Sequence, residues 1–128
     1  MGKEIKDIHI LLAEDDSNLG FVVSDNLKAN GYKVTLCQNG EIALKTFANE
    51  NFDLCILDIM MPKKDGFAVL AEMKKNPAWA KIPCIVASNL GQKEDIDKAK
   101  TLGATDYIIK TDLSMGKLME QIRRAAGG

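Results

Sequence analysis

The sequence is poor in the residues that most metal centres and disulfide frameworks require. It contains one histidine, His9, and three cysteines, Cys37, Cys55 and Cys84, which are widely spaced and form no CxxC pair. A single histidine excludes a multi-histidine metal site, and the spacing of the cysteines is not that of a disulfide framework. We therefore predict three buried free thiols, kept reduced in the cytoplasm.

A strong net charge and long apolar runs are also missing. The formal charge of −1 gives no electrostatic reason to expect direct binding to nucleic acid or to an anionic membrane. No segment approaches the roughly 18 consecutive apolar residues of a membrane span, and the N-terminal residues lack the apolar core of a signal peptide. We expect a cytoplasmic protein that is neither exported nor embedded in a membrane.

Five short apolar runs alternate with helical patterns along the 128 residues, which is about the length of one domain. Three of the runs are continuously apolar, which is typical of strands buried on both faces of a parallel sheet. The runs cover residues 8–13, 33–37, 54–57, 82–87 and 107–109. Right-handed crossovers between parallel strands then predict a doubly wound α/β domain with helices on both faces of the sheet.

The segments between the runs carry apolar stripes with helical spacing. The first helix opens near the capping residues Asp16 and Ser17 and ends at Asn30-Gly31, and Ser114 caps the fifth. The predicted buried stripes are Leu19, Val22, Val23 and Leu27; Ala43, Leu44, Phe47 and Ala48; Phe67, Leu70 and Met73; Ile96, Ala99 and Leu102; and Leu118, Met119 and Ile122. We predict one domain over residues 1–128, with its core at about residues 8–125.

Polar side chains follow four of the five predicted strands. The first strand runs into Glu14-Asp15-Asp16 and the third into Asp58, while the fourth ends at Ser88 and the fifth at Lys110. In an open α/β sheet the ligand crevice lies beyond the carboxyl ends of the strands. Taken singly, an acid after a strand is often a helix cap and such a lysine is often solvated, and Asp16 is better explained as a cap. Together, the other residues predict a site.

The predicted site favours phosphoryl transfer. Neighbouring carboxylates repel one another unless a cation neutralises them. Oxygen ligands suit Mg²⁺, whereas the lack of histidine and thiolate ligands argues against zinc. In this arrangement Asp58 is the candidate nucleophile and Lys110 the candidate cation that neutralises the transferred oxygens. Ser88 is a candidate donor to the phosphoryl group.

Four motifs in order carry a family resemblance. They are ILLAEDD at 10–16, LCILDIMMPKKDG at 54–66, the strand ending in Ala87-Ser88, and GATDYIIK at 103–110. Over about residues 8–125 the chain resembles the receiver domains of two-component response regulators. The resemblance implies a flavodoxin-like (βα)5 fold with a parallel five-stranded sheet of order 2-1-3-4-5. It also implies a signalling switch rather than an enzyme, although one that catalyses its own phosphorylation and dephosphorylation.

The resemblance also implies residue roles. Asp58 is the expected phosphoacceptor, supplied by a histidine kinase or a phosphotransfer protein. The expected Mg²⁺ ligands are Asp15, Asp58 and the backbone carbonyl of Met60, with Glu14 acting through water. Ser88 and Lys110 occupy the hydroxyl and lysine positions. Tyr107 occupies the aromatic switch position, which we favour over the alternative of a partly exposed aromatic residue at the sheet edge.

The expected readout is a change in the face formed by the fourth helix, fifth strand and fifth helix, which would contact a downstream protein or an output domain. The resemblance does not decide whether phosphorylation causes the domain to form a homodimer. It also does not decide whether the domain is a stand-alone receiver, a piece of a longer regulator or hybrid kinase, or a chimeric protein.

Two alternatives compete with the switch. One is a binding module that is never phosphorylated, against which the complete set of acids, hydroxyl and lysine argues. The other is a phosphatase of the dehalogenase type, which needs a second acid two residues after the nucleophile, where Met60 stands instead.

The sequence departs from the family pattern near the acceptor. Thr111 replaces the usual proline after Lys110, and a cis bond without proline would cost about 2.5–4 kcal/mol. We therefore expect a trans peptide bond there, or at least a different entry into the fifth helix. Asn89 stands where a small residue is usual and could crowd the phosphoryl site.

Met60 and Leu90 flank the reacting position in the family layout, and neither side chain can hydrogen-bond an attacking water. We therefore expect an aspartyl phosphate that hydrolyses slowly for this family. The decay of radiolabelled phosphoprotein measures this rate, and a half-life of seconds would contradict the prediction.

Overall fold

The chain is described by a computed structural model over residues 4–126, so the predicted domain of residues 1–128 extends beyond the described residues at both ends. Five strands and five α-helices alternate along it: β1 His9–Ala13, α1 Ser17–Ala29, β2 Lys33–Cys37, α2 Gly40–Asn49, β3 Leu54–Leu57, α3 Gly66–Lys75, β4 Cys84–Ser88, α4 Lys93–Thr101, β5 Asp106–Ile109 and α5 Met115–Ala126. The strands are parallel and lie in the order β2-β1-β3-β4-β5, which confirms the predicted doubly wound fold.

The sheet separates two apolar clusters, because successive side chains of a strand point to opposite faces. On one face, Ile10 and Leu12 of β1 belong to a cluster with Leu27 of α1 and Leu118 of α5. On the other face, Leu11 belongs to a cluster that includes buried residues of α2, α3 and α4. Helices therefore cover both faces, which leaves the ends of the strands as the place where a crevice can form.

The predicted capping residues occupy the starts of their helices. The side chain of Asp16 accepts a hydrogen bond from the backbone N–H of Leu19 at 3.1 Å, which confirms its assignment as a cap. Ser114 accepts from the N–H of Lys117 at 3.2 Å in the same way. Gly31, just after α1, has a φ of 99°, the left-handed conformation that the Asn30-Gly31 stop predicted.

Two predicted core positions are wrong. Val22 is 56% exposed and Ala48 is also exposed. The face that α1 turns to the sheet instead includes the small residues Gly20 and Ser24. A Cβ atom at Gly20 would lie 3.1 Å from the side chain of Leu36, so a larger residue there would require Leu36 to shift. Gly20 and Ser24 thus complete the buried face of α1, where apolar periodicity predicts Val22.

Some strand boundaries also differ from the prediction. The fourth strand begins at Cys84 rather than at residue 82, and it includes Ser88 as its last residue. Pro83, directly before it, has no N–H to donate to a ladder, which explains the later start. The first strand begins at His9 and the fifth at Asp106.

The three cysteines are buried and free, as predicted. Burial raises the pKa of the Cys37 thiol. The pKa of Cys55 is raised well above its usual value by a hydrogen bond with Cys84 and by burial. A raised pKa disfavours the thiolate form, so Cys37 and Cys55 act as small apolar groups of the core. Among the helices of residues 4–126, none has the length and apolar character that crossing a bilayer demands.

Lys63 is the non-glycine residue with a positive φ, 72°, in the described part of the chain. A side chain held in this conformation costs roughly 1–2 kcal/mol. Replacing it with glycine removes that cost, but glycine loses more conformational entropy on folding, and this loss offsets part of the gain. We expect Lys63→Gly to raise the free energy of unfolding by about 0.5–1 kcal/mol in urea denaturation. Lys81→Gly, at an exposed position without a positive φ, is the matched control and should be neutral or destabilising. Equal losses in both variants would show that Lys63 is not strained.

Candidate functional site

The carboxyl ends of four strands bring the predicted residues to one edge of the sheet. Glu14 follows β1, Asp58 follows β3, Ser88 ends β4 and Lys110 follows β5. Residue Ala13 pairs with Leu57 in the register of β1 and β3, and the N–H of Asp58 donates to the carbonyl of Ala13 at 3.0 Å. This register sets Glu14 and Asp58 side by side.

Lys110 bridges the two buried carboxylates. Its Nζ lies 2.6 Å from Oε1 of Glu14 and 2.8 Å from Oδ2 of Asp58. Glu14 and Asp58 are only 5% and 4% exposed. Buried charges are costly unless they are paired and hydrogen-bonded, and this ammonium group supplies the pairing for both acids. The sequence predicted the three residues, and the structure brings all of them into contact.

The acids outnumber the ammonium group. Burial raises the pKa of Glu14, although hydrogen bonds from Lys110 and from the backbone N–H of Asp16 oppose the shift. For Lys110, burial lowers the pKa, but hydrogen bonds and charge from Asp58 and Glu14 outweigh it and raise the pKa. Lys110 therefore keeps its positive charge at neutral pH. With the exposed Asp15 beside them, three acids face one cation.

The three acids fit a hard cation. One carboxylate oxygen from each of Glu14, Asp15 and Asp58 lies within 4.8 Å of the other two. Oxygen donors with an excess of negative charge suit Mg²⁺, which keeps several waters. Met60 lies beside this cluster, because its backbone N–H donates to Oδ1 of Asp58 at 3.3 Å. Its carbonyl oxygen as a further ligand stays a prediction.

Ser88 and Tyr107 are connected through the backbone of Leu90. Ser88 is fully buried, and its Oγ accepts a hydrogen bond from the N–H of Leu90 at 3.2 Å. The hydroxyl of Tyr107 donates to the carbonyl of Leu90. Burial raises the pKa of this hydroxyl. Tyr107 is half-buried on the edge strand β5, so its position agrees with both expectations raised for it.

Sequence reasoning missed this connecting role of Leu90. The role rests on backbone groups, which every non-proline residue has, so no residue type could have indicated it.

A family model described as the response regulator receiver domain matches residues 10–123. The chain belongs to this family. Its relatives include the transcriptional regulatory protein RprY of Bacteroides fragilis, 45% identical over 103 residues, and a gliding motility regulatory protein of Myxococcus xanthus, 34% identical over 119 residues. These alignments cover 80% and 93% of this chain but only 43% and 15% of the relatives, so the chain spans less than half of their length.

Solved receiver domains share the fold. The receiver domain of the Francisella response regulator 1452 matches with a TM-score of 0.88 at 26% identity, covering 94% of this chain and 98% of that one. The receiver domain of the sensor histidine kinase PA1611 of Pseudomonas aeruginosa matches with a TM-score of 0.86 at 25% identity, with the same coverage. That structure holds a magnesium ion coordinated in its active site cleft.

Two departures of this receiver from the family pattern have structural outcomes. The Lys110–Thr111 peptide bond is trans, as predicted. Lys110 begins a 3-10 turn, Lys110–Asp112, before α5. Asn89 is exposed and directly follows Ser88, the last residue of β4. Gly66 is required for a close approach, because a Cβ atom there would lie 2.4 Å from the carbonyl oxygen of Asp58.

The raised pKa of Glu14 has a consequence for stability. Because the folded protein holds the Glu14 proton more tightly than the unfolded chain, this residue favours folding at low pH, and its contribution is lost as pH rises from about 4.5 through the raised pKa. The substitution Glu14→Gln removes the ionisable carboxyl group and with it this pH-dependent contribution to stability. In the absence of divalent cations, we expect the stability of Glu14→Gln relative to the unsubstituted protein to increase between about pH 4 and pH 7.

Urea denaturation at several pH values measures this difference. Glu41→Gln, an exposed position on α2, is the matched control and should follow the unsubstituted protein. A difference that stays constant or shrinks as pH rises would contradict the expectation for Glu14.

Proposed function

We propose that this receiver accepts a phosphoryl group on Asp58 from the phosphohistidine of a histidine kinase or a phosphotransfer protein, with Mg²⁺ as cofactor. The observation that carries the proposal is the buried Asp58 carboxylate, held against the Lys110 ammonium group beside Glu14 and Asp15. A nucleophile, a fixed positive charge and an oxygen-rich cation site in one crevice are the components that phosphoryl transfer needs.

Each residue has a distinct task in this proposal. Asp58 attacks phosphorus with a carboxylate oxygen. Lys110, which already contacts Asp58 and Glu14, neutralises charge on the transferred oxygens. Asp15, Asp58 and the Met60 carbonyl would hold Mg²⁺ directly, with Glu14 acting through water. When bound there, the ion would supply positive charge that neutralises the acids and the phosphoryl oxygens.

The readout runs from Ser88 to Tyr107. When the Ser88 hydroxyl donates to the phosphoryl group and moves toward it, its bond from the N–H of Leu90 is lost. The carbonyl of Leu90 holds the hydroxyl of Tyr107, so the change reaches β5. Phosphorylation adds about −1.5 to −2 charge and would act by biasing two pre-existing arrangements of the face formed by α4, β5 and α5.

The output of the switch is a protein contact. RprY is named as a transcriptional regulatory protein, which supports an output domain or a separate regulator as the partner of the α4-β5-α5 face. We propose a cytoplasmic setting with no direct nucleic acid or membrane binding by this domain, whose core is residues 8–125. Dimerisation on phosphorylation is compatible with this output.

Phosphorylation can be tested by intact mass after incubation with phosphoramidate and Mg²⁺. We expect the protein to gain one phosphoryl group, and we expect chelation of Mg²⁺ or the substitution Asp58→Asn to abolish the gain. Asp97→Asn, an exposed position on α4, is the matched control and should retain it. Asn89→Ala is measured in parallel, since Asn89 is exposed directly after Ser88 and could crowd the phosphoryl site. Modification that persists in Asp58→Asn, or a failure of every Asp58-containing form with both phosphoramidate and a phosphorylated kinase, would refute the proposal.

A further inference from the structure

A second cavity lies at the end of the sheet opposite to Asp58, and none of the roles assigned above uses it. It is bordered by the segments that precede β3 and β4, and parallel strands all begin at one edge of a sheet and end at the other. Its volume is about 420 Å³, which is within the range of small-molecule pockets. Its lining residues include Phe47, Glu50, Phe52, Trp79 and Ile82.

Three aromatic side chains that line the cavity pack against one another. The ring of Phe47 contacts that of Phe52 edge-on and that of Trp79 at an interplanar angle of 32°, with centroids 5.6 Å apart in both pairs. Phe47 and Phe52 are buried, and Trp79 is half-buried. The face of an aromatic ring attracts a cation, most strongly in tryptophan. The packed rings therefore offer a fixed wall to an organic cation.

Glu50 adds a negative charge to this wall and is held in position. The Oγ of Thr35 donates to Oε1 of Glu50 at 3.4 Å, and Nε2 of His9 lies 2.8 Å from that Oγ and 3.8 Å from Oε1. The ring of Phe52 packs on the ring of His9, with centroids 4.3 Å apart. These polar contacts are made at Oε1, so Oε2 can face a ligand without breaking them.

The charge of the lining selects the sign of the ligand. Among residues 4–126, no lysine, arginine or histidine lines the cavity, whereas the carboxylate of Glu50 does. An anion would be repelled by this carboxylate, and a cation would be attracted both by it and by the ring faces.

We propose that this cavity binds a small organic cation whose charge is carried by a methylated ammonium group. Such a group has no N–H donors, so aromatic walls leave none of its hydrogen bonds unmade, and its methyl groups pack on the rings. A primary ammonium group brings three N–H donors that ring faces satisfy poorly. The inference does not depend on phosphorylation of Asp58.

The cavity contains the single tryptophan of the chain, Trp79, so tryptophan fluorescence reports on binding there. The test titrates the protein with choline and with the neutral alcohol in which a tert-butyl group replaces the trimethylammonium group. Mg²⁺ is present, so that it competes for the acids beside Asp58. We expect a saturable change with choline and an affinity about 2- to 30-fold lower for the alcohol, which keeps the shape and loses the charge.

A charge placed at the cavity gives the sharpest variant. Ala48 lines the cavity and is exposed on α2, so Ala48→Lys adds a positive charge there without disturbing the core. We expect this substitution to lower the affinity for choline about 5-fold and to leave that for the alcohol nearly unchanged. Ala29→Lys, at the exposed end of α1 and outside the cavity, is the matched control and should bind choline normally.

Removing the negative charge tests the role of Glu50. We expect Glu50→Gln to reduce the preference for choline over the alcohol, because the alcohol never uses the carboxylate. Glu41→Gln, an exposed position on α2 outside the cavity, should keep the full preference.

A second measurement does not use the tryptophan. Choline should shift the methyl resonances of Ile82, which lines the cavity, and leave those of the exposed Ile42 in place. In Trp79→Leu the same shift of Ile82 should need more choline, since the ring that attracts a cation most strongly is missing.

Four outcomes would overturn the inference. The first is the lack of a saturable response at both Trp79 and Ile82. Equal affinities for choline and the alcohol would reveal a purely apolar pocket. Equal losses in a variant and its control, for Lys or for Gln, would locate the binding elsewhere. Binding of a trimethyllysine peptide without binding of choline would assign the cavity to a protein partner instead of a small molecule.

Discussion

Lys110 is held between two carboxylates that water barely reaches, at 2.6 Å from Glu14 and 2.8 Å from Asp58. Because a buried charge without a partner costs several kcal/mol, the ammonium group supplies the pairing that both carboxylates need in this position. The pairing in turn requires β1, β3 and β5 to end at the same edge, which the parallel register of the sheet ensures. The crevice, the candidate cation site and the link to Tyr107 all depend on this arrangement.

The same arrangement explains why the domain suits a switch. Three acids against one cation leave an excess of negative charge, so a divalent ion or a change of protonation has a large effect on the site. Ser88 and Tyr107 lie on neighbouring strands, and their hydroxyl groups bond the same residue, Leu90. The Ser88 hydroxyl accepts from its N–H, and the Tyr107 hydroxyl donates to its carbonyl. A hydrogen-bonded route through the backbone of Leu90 therefore connects the end of β4 with the edge strand β5.

Much of the fold was predictable because its determinants are local. Continuous apolar runs predicted the strands within two residues, and Asp16 was recognised as a cap because capping depends on a side chain and the next turn of its own helix. Val22 was misplaced for the opposite reason. Whether Val22 or the pair Gly20 and Ser24 faces the sheet depends on how closely α1 approaches Leu36, and that distance is a property of packing.

The sequence by itself determined which chemical groups follow each strand, and hence the acceptor, the acids, the hydroxyl and the lysine as candidates. The tertiary structure alone decided that Lys110 contacts both acids, that Leu90 joins Ser88 to Tyr107, and that three packed aromatic rings share a cavity with Glu50. Residue types are read directly along the chain. The distance between groups as far apart in the chain as Asp58 and Lys110 depends on which strands lie side by side, and the backbone hydrogen bonds that decide this join residues distant in the sequence.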